Sequence, residues 1–331
     1  MANKEEIEKK YKISVVIPAH NEREGIAHAL QVIEQFVTSA GVHDYELIVV
    51  DDGSSDGTYR EIQEIRQRIP QVKGIRLSRN FGKEGALLAG LKMATGQAVI
   101  SMDSDLQHPP KLIPEMISKW LNGCQIVHAV KRDRSADSWA IRMRARIFNT
   151  VYSKLGGVNI QNSSDFKLLD RTVVDILVNR IQERERFYRG LATWVGFKQD
   201  VVFFDVAPRE VGDGKWSLWS LIELALTATI SFTSAPLRIV TALGVISLFF
   251  GFIVLADTLW SWFHGRSVSG FATLEITLLL LGSFIMISLG IVGEYIAKIY
   301  QEIKARPLFI VEETCGMDDE QHVAKSFSEL G

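Results

Sequence analysis

Residues 13–22 read ISVVIPAHNE, and residues 46–58 read ELIVVDDGSSDGT. In each stretch a short run of β-branched and apolar residues ends in polar, acidic or glycine residues. Such runs are typical of strands that are buried on both faces of a parallel sheet, and two more stand at 73–77 and 98–102. Apolar residues with helical spacing fill the segments between the runs: 22–40, 58–68 and 84–95. This alternation predicts a doubly wound α/β fold with a mostly parallel sheet.

The composition of the chain excludes several classes of protein. Its 331 residues are 47% hydrophobic and 23% charged, with a formal net charge of −2. This is not the composition of a disordered, collagen-like or strongly basic nucleic-acid-binding chain. The two cysteines, Cys124 and Cys315, match no metal-ligand spacing, and we expect free thiols in a reducing compartment.

Two long apolar segments lie in the last third of the chain. Residues 239–263 contain one charged residue, Asp257, and residues 274–293 contain one acidic residue, Glu275. Each segment has roughly the 20 apolar residues that a membrane-spanning helix needs. The sequence therefore predicts a two-helix transmembrane hairpin over 236–300. The alternative is a pair of buried core helices in a soluble domain.

Basic residues flank this hairpin. Arg238 precedes it, and Lys298, Lys304 and Arg306 follow its second span, whereas the connecting turn carries only Arg266. By the positive-inside rule, both ends of the hairpin face the cytoplasm. We therefore expect a multi-pass protein of the plasma (inner) membrane, with its α/β domain and both termini in the cytoplasm.

The chain divides into four predicted regions: an α/β domain over 1–212, an interfacial amphipathic helix region over 213–235, the hairpin over 236–300 and a cytoplasmic C-terminal tail over 301–331. Residues 216–232 read WSLWSLIELALTATISF, which is too short and too mixed for a span. We interpret this segment as a helix in the membrane interface, with a packed core helix as the alternative. The residues after Glu313 are expected to form a mobile polar terminus.

Acidic and polar residues follow the ends of three predicted strands, at 18–22, 51–57 and 103–105. Ligands of open α/β sheets bind outside the carboxyl ends of the strands. The sequence has neither G-x-G-x-x-G after the first strand nor G-x-x-x-x-G-K, which argues against dinucleotide and P-loop chemistry. Two carboxylates at i and i+2, here Asp103 and Asp105, can share a hard cation such as Mg²⁺ or Mn²⁺, and this cation would hold a diphosphate. A solvated turn is the alternative explanation of each motif taken alone.

Three motifs taken together, VVIPAHNE at 15–22, VVDDGSSDGT at 49–58 and MDSDLQHPP at 102–110, resemble those of the family 2 glycosyltransferases, which have the GT-A fold. Further motifs resemble the polyprenyl-phosphate glycosyltransferases, a group that includes dolichyl-phosphate mannose synthase and the bactoprenol glucosyltransferases: LSRNFGKE at 77–84, DFKLLDR at 165–171 and RFYRG at 186–190. The resemblance covers roughly residues 12–312. The Q-x-x-R-W motif of processive polysaccharide synthases is missing.

The resemblance implies an inverting, metal-dependent transfer of a hexose from a nucleotide-diphosphate sugar to polyprenyl phosphate on the cytoplasmic leaflet. Glucose is the favoured sugar, in a β-glucosyltransferase type of reaction, and UDP the favoured nucleotide. The implied cofactor is Mg²⁺ or Mn²⁺, and the implied partners are membrane lipids and further copies of the chain in a homo-oligomer, for which a tetramer is suggested. No nucleic acid is expected. Two alternatives stay open: transfer to a hydroxyl of a lipid-linked or protein-linked glycan, and a non-catalytic membrane scaffold that retains the nucleotide-binding fold.

The resemblance also assigns roles to residues. The donor nucleotide sugar is assigned Pro18, His20, Glu22, Val50, Asp52, Asp103, Ser104, Arg209 and Lys215. The metal ion is assigned Asp103, Asp105 and Gln107. The acceptor phosphate is assigned Arg132 and Arg146, although a basic helix face against anionic lipid headgroups would also explain Arg146.

Asp105 and Asp165 are the implied catalytic residues. We favour an orienting role for Asp165 over a role as base, because the acceptor phosphate is already ionised at pH 7. The group usually has Gly-Asp-Phe where this chain has Ser164, Asp165 and Phe166. Lys83 is either a phosphate contact or a surface lysine at the start of a helix.

Overall fold

The computed structural model describes residues 11–131, 163–204 except 182 and 185, 235–265 and 270–317. The chain forms two compact units. The first contains the described residues up to 204 together with 306–317, and the second contains those from 235 to 305.

The first unit is built on an eight-stranded mixed sheet. Its strands are β1 (Lys12–Ala19), β2 (Asp44–Asp51), β3 (Val72–Leu77), β4 (Ala98–Ser101), β5 (Ile126–Lys131), β6 (Ser163–Asp170), β7 (Gln199–Phe204) and β8 (Val311–Cys315). Its helices are α1 (Ile26–Ser39), α2 (Thr58–Arg66), α3 (Lys83–Met93), α4 (Ile113–Leu121), α5 (Arg171–Asn179) and α6 (Tyr188–Trp194). The strand order is β7-β5-β6-β4-β1-β2-β3-β8.

The centre of the sheet is parallel, as predicted. Strands β3, β2, β1 and β4 are neighbours that all run in one direction. Strand β6 then joins β4 in the antiparallel direction and separates it from β5. Because β6 runs antiparallel to β4, the first residues of β6 lie beside the loop that follows β4, although they are distant from it in sequence.

Helices cover both faces of the sheet because successive residues of the central strands point to opposite sides. Val15 and Ile17 of β1 belong to one apolar core together with residues of α1, α2 and α4. Val16 belongs to a second core together with residues of α3, α5 and α6. At Gly90 a Cβ atom would lie 2.3 Å from Cγ1 of Val16, so only glycine allows α3 to approach β1 this closely. The doubly wound arrangement follows from this packing.

The C-terminal segment differs from the prediction. Residues Val311–Cys315 form β8, which pairs antiparallel with β3. The backbone N–H of Ser78 donates to the carbonyl of Ile310 at 2.9 Å, and Phe309 is buried in the second core. The prediction of a mobile terminus after Glu313 is therefore wrong for Thr314 and Cys315, which belong to β8. An edge strand buries one face and forms one row of hydrogen bonds, so a short acidic sequence such as VEETC is sufficient for it.

The second unit contains two long helices, α7 (Ala235–Phe263) and α8 (Phe271–Ile303), which contact each other. The segments Val240–Ser261 and Ile276–Ile303 are long and apolar enough to cross a membrane. Their large apolar side chains are exposed, as at Phe249 and Leu279. The two predicted spans correspond to these helices. Residues 213–234, most of the predicted interfacial region, lie outside the described residues.

Candidate active site

The loops after β1 and β2 are joined by hydrogen bonds. The backbone N–H of Asn21 donates to Oγ of Ser54 at 2.8 Å, and the backbone N–H of Ser55 donates to Oδ1 of Asn21 at 3.1 Å. Asn21 has a φ of 55°, a left-handed conformation that asparagine tolerates better than most residues. The backbone N–H of Glu22 donates to Oγ1 of Thr58. The two strand-end motifs found in the sequence therefore form one continuous rim.

Asp52 fastens this rim to the loop after β3. The residue is buried, and its two carboxylate oxygens accept the backbone N–H groups of Phe81 at 2.7 Å and Gly82 at 2.9 Å. The neighbouring Gly53 has a φ of 65°, and a Cβ atom there would lie 2.4 Å from the backbone carbon of Arg79. Asp52 thus positions the residues that lead into α3, in addition to the nucleoside contact that the sequence predicts.

His20 lies on the same rim in a defined tautomer. Its Nδ1 is 2.9 Å from the carbonyl oxygen of Asp52, and its Nε2 is 3.1 Å and 3.2 Å from the side-chain amide nitrogens of Asn21 and Asn80. A carbonyl oxygen only accepts hydrogen bonds, so Nδ1 carries the proton and Nε2 accepts from the two amides. His20 is exposed on this rim.

The loop after β4 brings together a group that could hold a metal ion. Ligand atoms of Asp103, Asp105 and His108 all lie within 4.8 Å of one another. Burial lowers the pKa of His108 although the charges of Asp103 and Asp105 oppose this, which favours the neutral imidazole that a metal requires. The two carboxylates supply the oxygen ligands that Mg²⁺ and Mn²⁺ prefer, so the residues fit such an ion.

The structure adds His108 to the candidate metal ligands expected from the sequence. His108 follows Asp105 by three residues in the quoted motif, and this spacing was the available signal. The predicted ligand Gln107 is exposed, and its backbone N–H donates to Oδ1 of Asp105 at 3.1 Å. Its side chain is left as a proposed ligand. Nearby, burial and the charge of Asp105 raise the pKa of Glu22.

The carboxylate of Asp165, at the start of β6, is bound by two cations. This side chain is only 9% exposed. Arg189 donates from Nε to Oδ1 at 2.7 Å and from Nη2 to Oδ2 at 2.9 Å, and Lys83 donates from Nζ to Oδ2 at 2.7 Å. Burial acts to raise the pKa of Asp165, but the hydrogen bonds and charges of Arg189 and Lys83 outweigh it and hold this pKa far below its usual range. The carboxylate is therefore a weak base, which favours the orienting role.

Lys83 connects Asp165 to the metal-ligand group. Its Nζ atom lies 2.6 Å from Oδ1 of Asp103 and 2.7 Å from Oδ2 of Asp165. Burial acts to lower the pKa of Lys83, but the charges of Asp165 and Asp103 outweigh it and raise this pKa. Lys83 is therefore part of the site and not an isolated surface lysine at a helix start.

A buried polar layer supports Asp165 from within the unit. Oγ of Ser101 donates to the carbonyl oxygen of Asp165 at 2.6 Å, so the hydroxyl of Tyr188 donates to Ser101 at 2.7 Å. The carboxylate of Glu84 accepts the backbone N–H of Tyr188 at 3.1 Å. Lys167 is fully buried, with its Nζ 5.3 Å from the centre of the Tyr188 ring. The layer thereby holds both Asp165 and the residue next to Arg189.

Two groups in this layer have strongly shifted pKa values. Burial raises the pKa of Glu84 to about 7 although the hydrogen bond from Tyr188 opposes this. Burial lowers the pKa of Lys167 to about 7 although the charge of Asp165 opposes this. No sequence motif predicts a role for either residue, or for Ser101, Tyr188 or Arg189. The alternation of β6 was the available signal, because residues at i and i+2, here Asp165 and Lys167, share a face of the strand.

The remaining predicted residues divide into two groups. Pro18 of β1 and Val50 of β2 are paired in neighbouring strands beneath the rim. Ser104, which lies between Asp103 and Asp105 in the sequence, is buried. Four predicted residues lie outside the described residues: Arg132, Arg146, Arg209 and Lys215. Their roles stay predictions.

The sequence matches two family models. Residues 14–181 match glycosyl transferase family 2, and residues 235–299 match the GtrB C-terminal hairpin. The chain is a family 2 glycosyltransferase. This membership and the mixed, mostly parallel sheet confirm the GT-A fold class predicted for the glycosyltransferase.

The glycosyltransferase is similar along most of its length to bacterial and prophage proteins. It is 40% identical over 311 residues to an uncharacterised glycosyltransferase of Synechocystis, covering 92% of this chain and 96% of that protein. It is 38% identical over 306 residues to a prophage bactoprenol glucosyl transferase homolog of Escherichia coli K12, covering 91% and 98%. It is also 38% identical over 308 residues to a prophage-derived bactoprenol glucosyl transferase of Shigella flexneri, covering 92% and 98%.

Among solved structures, glucosyl-3-phosphoglycerate synthase from Mycobacterium tuberculosis in complex with Mn²⁺, UDP and phosphoglyceric acid aligns with 69% of this chain and 80% of its own, at 24% identity and a TM-score of 0.44.

Proposed function

We propose that the glycosyltransferase transfers glucose from UDP-glucose to polyprenyl phosphate, with inversion at the anomeric carbon and with Mg²⁺ or Mn²⁺ as cofactor. The names of its bactoprenol relatives support the acceptor and the sugar. The two long apolar helices support a membrane location for this acceptor. The observation that carries the reaction type is the pairing of Asp165 with Arg189 and Lys83.

The proposed chemistry follows from the charge of the acceptor. An oxygen of the acceptor phosphate forms a bond to the anomeric carbon while the bond from that carbon to the β-phosphate oxygen of UDP breaks, and UDP leaves with the electron pair. The attacking oxygen is already an anion at pH 7, so no proton has to be removed. A carboxylate that two cations keep ionised, such as Asp165, is suited to orienting groups and not to accepting a proton.

The metal site belongs to the same proposal. Asp103 and Asp105 would hold the cation, with His108 and Gln107 as further candidate ligands. A bound divalent cation would neutralise charge on the leaving diphosphate. Pro18, His20, Glu22, Val50, Asp52 and Ser104 are proposed to hold the nucleotide sugar.

Part of the proposed phosphate binding depends on residues outside those that the structure describes. We keep Arg209 and Lys215 as proposed contacts of the donor diphosphate. Arg132 and Arg146 remain proposed contacts of the acceptor phosphate. A homo-oligomer, with the catalytic unit and both termini in the cytoplasm, completes the proposal, and reporter fusions at the two termini and in the turn at 264–270 would test this topology.

A transfer assay tests the proposed function. The full chain, purified in detergent, is incubated with radiolabelled UDP-glucose, undecaprenyl phosphate and Mg²⁺ or Mn²⁺. We expect a labelled lipid, no label on undecaprenol, and loss of product with EDTA. A β-linked product from the α-linked donor, determined by NMR, would establish inversion.

Two results would contradict the proposal. Labelling of undecaprenol or of a glycan hydroxyl in preference to the phosphate would favour the hydroxyl-transfer alternative. Absence of transfer and of UDP-glucose hydrolysis with every nucleotide sugar tested would favour a non-catalytic scaffold. GDP-mannose and UDP-galactose serve as the comparison donors for sugar identity.

A further inference from the structure

Lys83 and Arg189 lie side by side because they bind the same carboxylate oxygen. Nζ of Lys83 and Nη2 of Arg189 lie 2.7 Å and 2.9 Å from Oδ2 of Asp165. Lys83 begins α3 and Arg189 lies in α6, so two separate helices supply the two cations. Asp165 thus acts as the counterion that keeps two positive groups close together.

The exposure of the three side chains is uneven. The side chains of Lys83 and Arg189 are each 43% exposed, whereas that of Asp165 is 9% exposed. The negative charge is therefore covered while the two positive charges reach the surface of the site.

Both cations have N–H groups beyond those that Asp103 and Asp165 accept. An ammonium group has three N–H donors, and the bonds to Asp103 and Asp165 account for two of those on Lys83. A guanidinium group has five, and Asp165 accepts two of those on Arg189. Adjacent ammonium and guanidinium donors of this kind suit the oxygens of a phosphate group.

We propose that Lys83 and Arg189 form a phosphate-binding position next to the metal-ligand group, with Asp165 as its internal counterion. The phosphate would come from one of the two substrates of the proposed function, on which this inference rests: the monophosphate of the acceptor or the diphosphate of the donor. No sequence motif predicts such a role for Arg189, and for Lys83 a phosphate contact is one of the two alternatives stated above.

The charges of the site indicate when this position binds. Asp103, Asp105 and Asp165 carry three negative charges against the two positive charges of Lys83 and Arg189. One negative charge is in excess until a divalent cation binds the aspartates. Phosphate binding is therefore to be measured with Mg²⁺ present.

Isothermal titration calorimetry tests the proposal without measuring turnover. The full chain is kept in detergent with Mg²⁺ present throughout, and a phosphate compound is titrated into it. The probes are geranyl phosphate, which carries the acceptor's chemical group on a short chain, and UDP. Lys83→Gln and Arg189→Gln are compared with the unmodified chain. Because a hydrogen bond between charged groups contributes roughly 1.5–3 kcal/mol, we expect each substitution to weaken one probe about tenfold or more.

Two further variants separate a lost contact from a disturbed fold. Lys83→Arg keeps a cation at the site and should restore most of the binding lost in Lys83→Gln. Lys119→Gln is the matched control, because Lys119 also donates to an aspartate, Asp200, at 2.8 Å, but lies near the C-terminal end of α4. This control should bind both probes as the unmodified chain does.

The outcomes distinguish the source of the phosphate. Weaker binding of geranyl phosphate with unchanged UDP binding assigns the position to the acceptor, and the reverse assigns it to the donor. Unchanged binding of both probes by Lys83→Gln and Arg189→Gln overturns the proposal, as does an unmodified chain that binds neither probe. If the unmodified chain binds geranyl phosphate but transfers no sugar to undecaprenyl phosphate, the proposed function fails while the binding position stands.

Discussion

Lys83 and Asp165 are 82 positions apart in the sequence, yet the Nζ atom of one lies 2.7 Å from the carboxylate of the other. The contact exists because β6 inserts next to β4 and brings Asp165 beside the loop that begins after Ser101 and contains Asp103. Lys83 also bonds to Asp103, so one ammonium group joins the metal-ligand group to Asp165, which is proposed to orient the substrates.

Asp165→Asn should lower the rate of transfer by about 10–100-fold, and it should leave the shape of the pH–rate profile between pH 5 and 8 unchanged. The pKa of Asp165 is far below its usual range, so the residue stays ionised throughout this interval. A profile of kcat/KM against pH for both proteins checks this. A rising limb in the unmodified protein that disappears in Asp165→Asn would show that Asp165 acts as a base.

Glu84→Gln should remove a pH dependence of folding stability. The pKa of Glu84 is raised from 4.5 to about 7, so the folded protein favours the protonated carboxyl group. The contribution of Glu84 to the free energy of unfolding is therefore fully present below the pKa that the residue has in the unfolded chain. It is lost as the pH rises through 7. Between pH 4.5 and 7.5, the free energy of unfolding of the unmodified protein should therefore fall by on the order of 2 kcal/mol relative to that of Glu84→Gln.

Denaturant unfolding at several pH values measures this difference. Glutamine keeps an oxygen that accepts the backbone N–H of Tyr188. Glu64→Gln is the control, because Glu64 is exposed and pairs with Arg60 on the surface of α2. Parallel stability curves for Glu84→Gln and the unmodified protein would contradict the prediction.

His108→Ala and Gln107→Ala test which residue completes the metal site. The structure groups His108 with Asp103 and Asp105, so His108→Ala should weaken Mn²⁺ binding by about 10–100-fold. Electron paramagnetic resonance of free Mn²⁺ gives the dissociation constants. A larger effect of Gln107→Ala would support the ligand set implied by the family resemblance instead.

Asp105→Ala should abolish transfer without unfolding the protein. Asp105 is exposed, and its side-chain oxygen Oδ1 accepts the backbone N–H of Gln107, which lies in the same loop. We expect a loss of activity of roughly 100-fold or more, with a melting temperature within a few degrees of the unmodified value. A rate close to normal would remove Asp105 from the metal site.

Gly53→Ala should destabilise the protein more than Gly82→Ala. Both glycines have positive φ angles, 65° and 88°, so each substitution strains the backbone. At Gly53 the added Cβ would also lie 2.4 Å from the backbone of Arg79, whereas at Gly82 nothing lies within 4 Å. We expect a difference of about 1–3 kcal/mol in unfolding free energy, measured with urea. Equal losses would mean that the loop after β3 moves freely to accommodate the methyl group.

The central strands and helices could be predicted because their signals are local. Each of the first four strands is a short segment rich in apolar residues that is followed by polar residues, although β3 also contains Lys73 and Arg76, and each predicted span is a long apolar segment. Asp103 and Asp105 were also found locally, since they follow the end of β4 directly. Sequence order and sheet order agree closely enough in this part of the fold for strand-end residues to be grouped correctly.

The rest of the site depends on contacts between distant segments. No local pattern shows that β6 lies between β4 and β5, so the contacts of Asp165 with Lys83 and Arg189 could not be predicted. Strand β8 was missed because its acidic residues lack the apolar run that identifies a buried strand. His108 was missed although it follows Asp105 by three residues, because this spacing does not show on its own that the imidazole turns back toward the two aspartates.

The position of β8 at the edge of the sheet also sets the order in which the protein can be completed. A ribosome finishes β3 early, but it makes Val311–Cys315 only after both long apolar helices have been synthesised. During that interval β3 presents an unpaired row of N–H and carbonyl groups, which is a template for association with other chains. A nonsense codon or a proteolytic cut before Val311 would leave this edge open permanently, so such truncations are expected to aggregate even though the residues of the site are all retained.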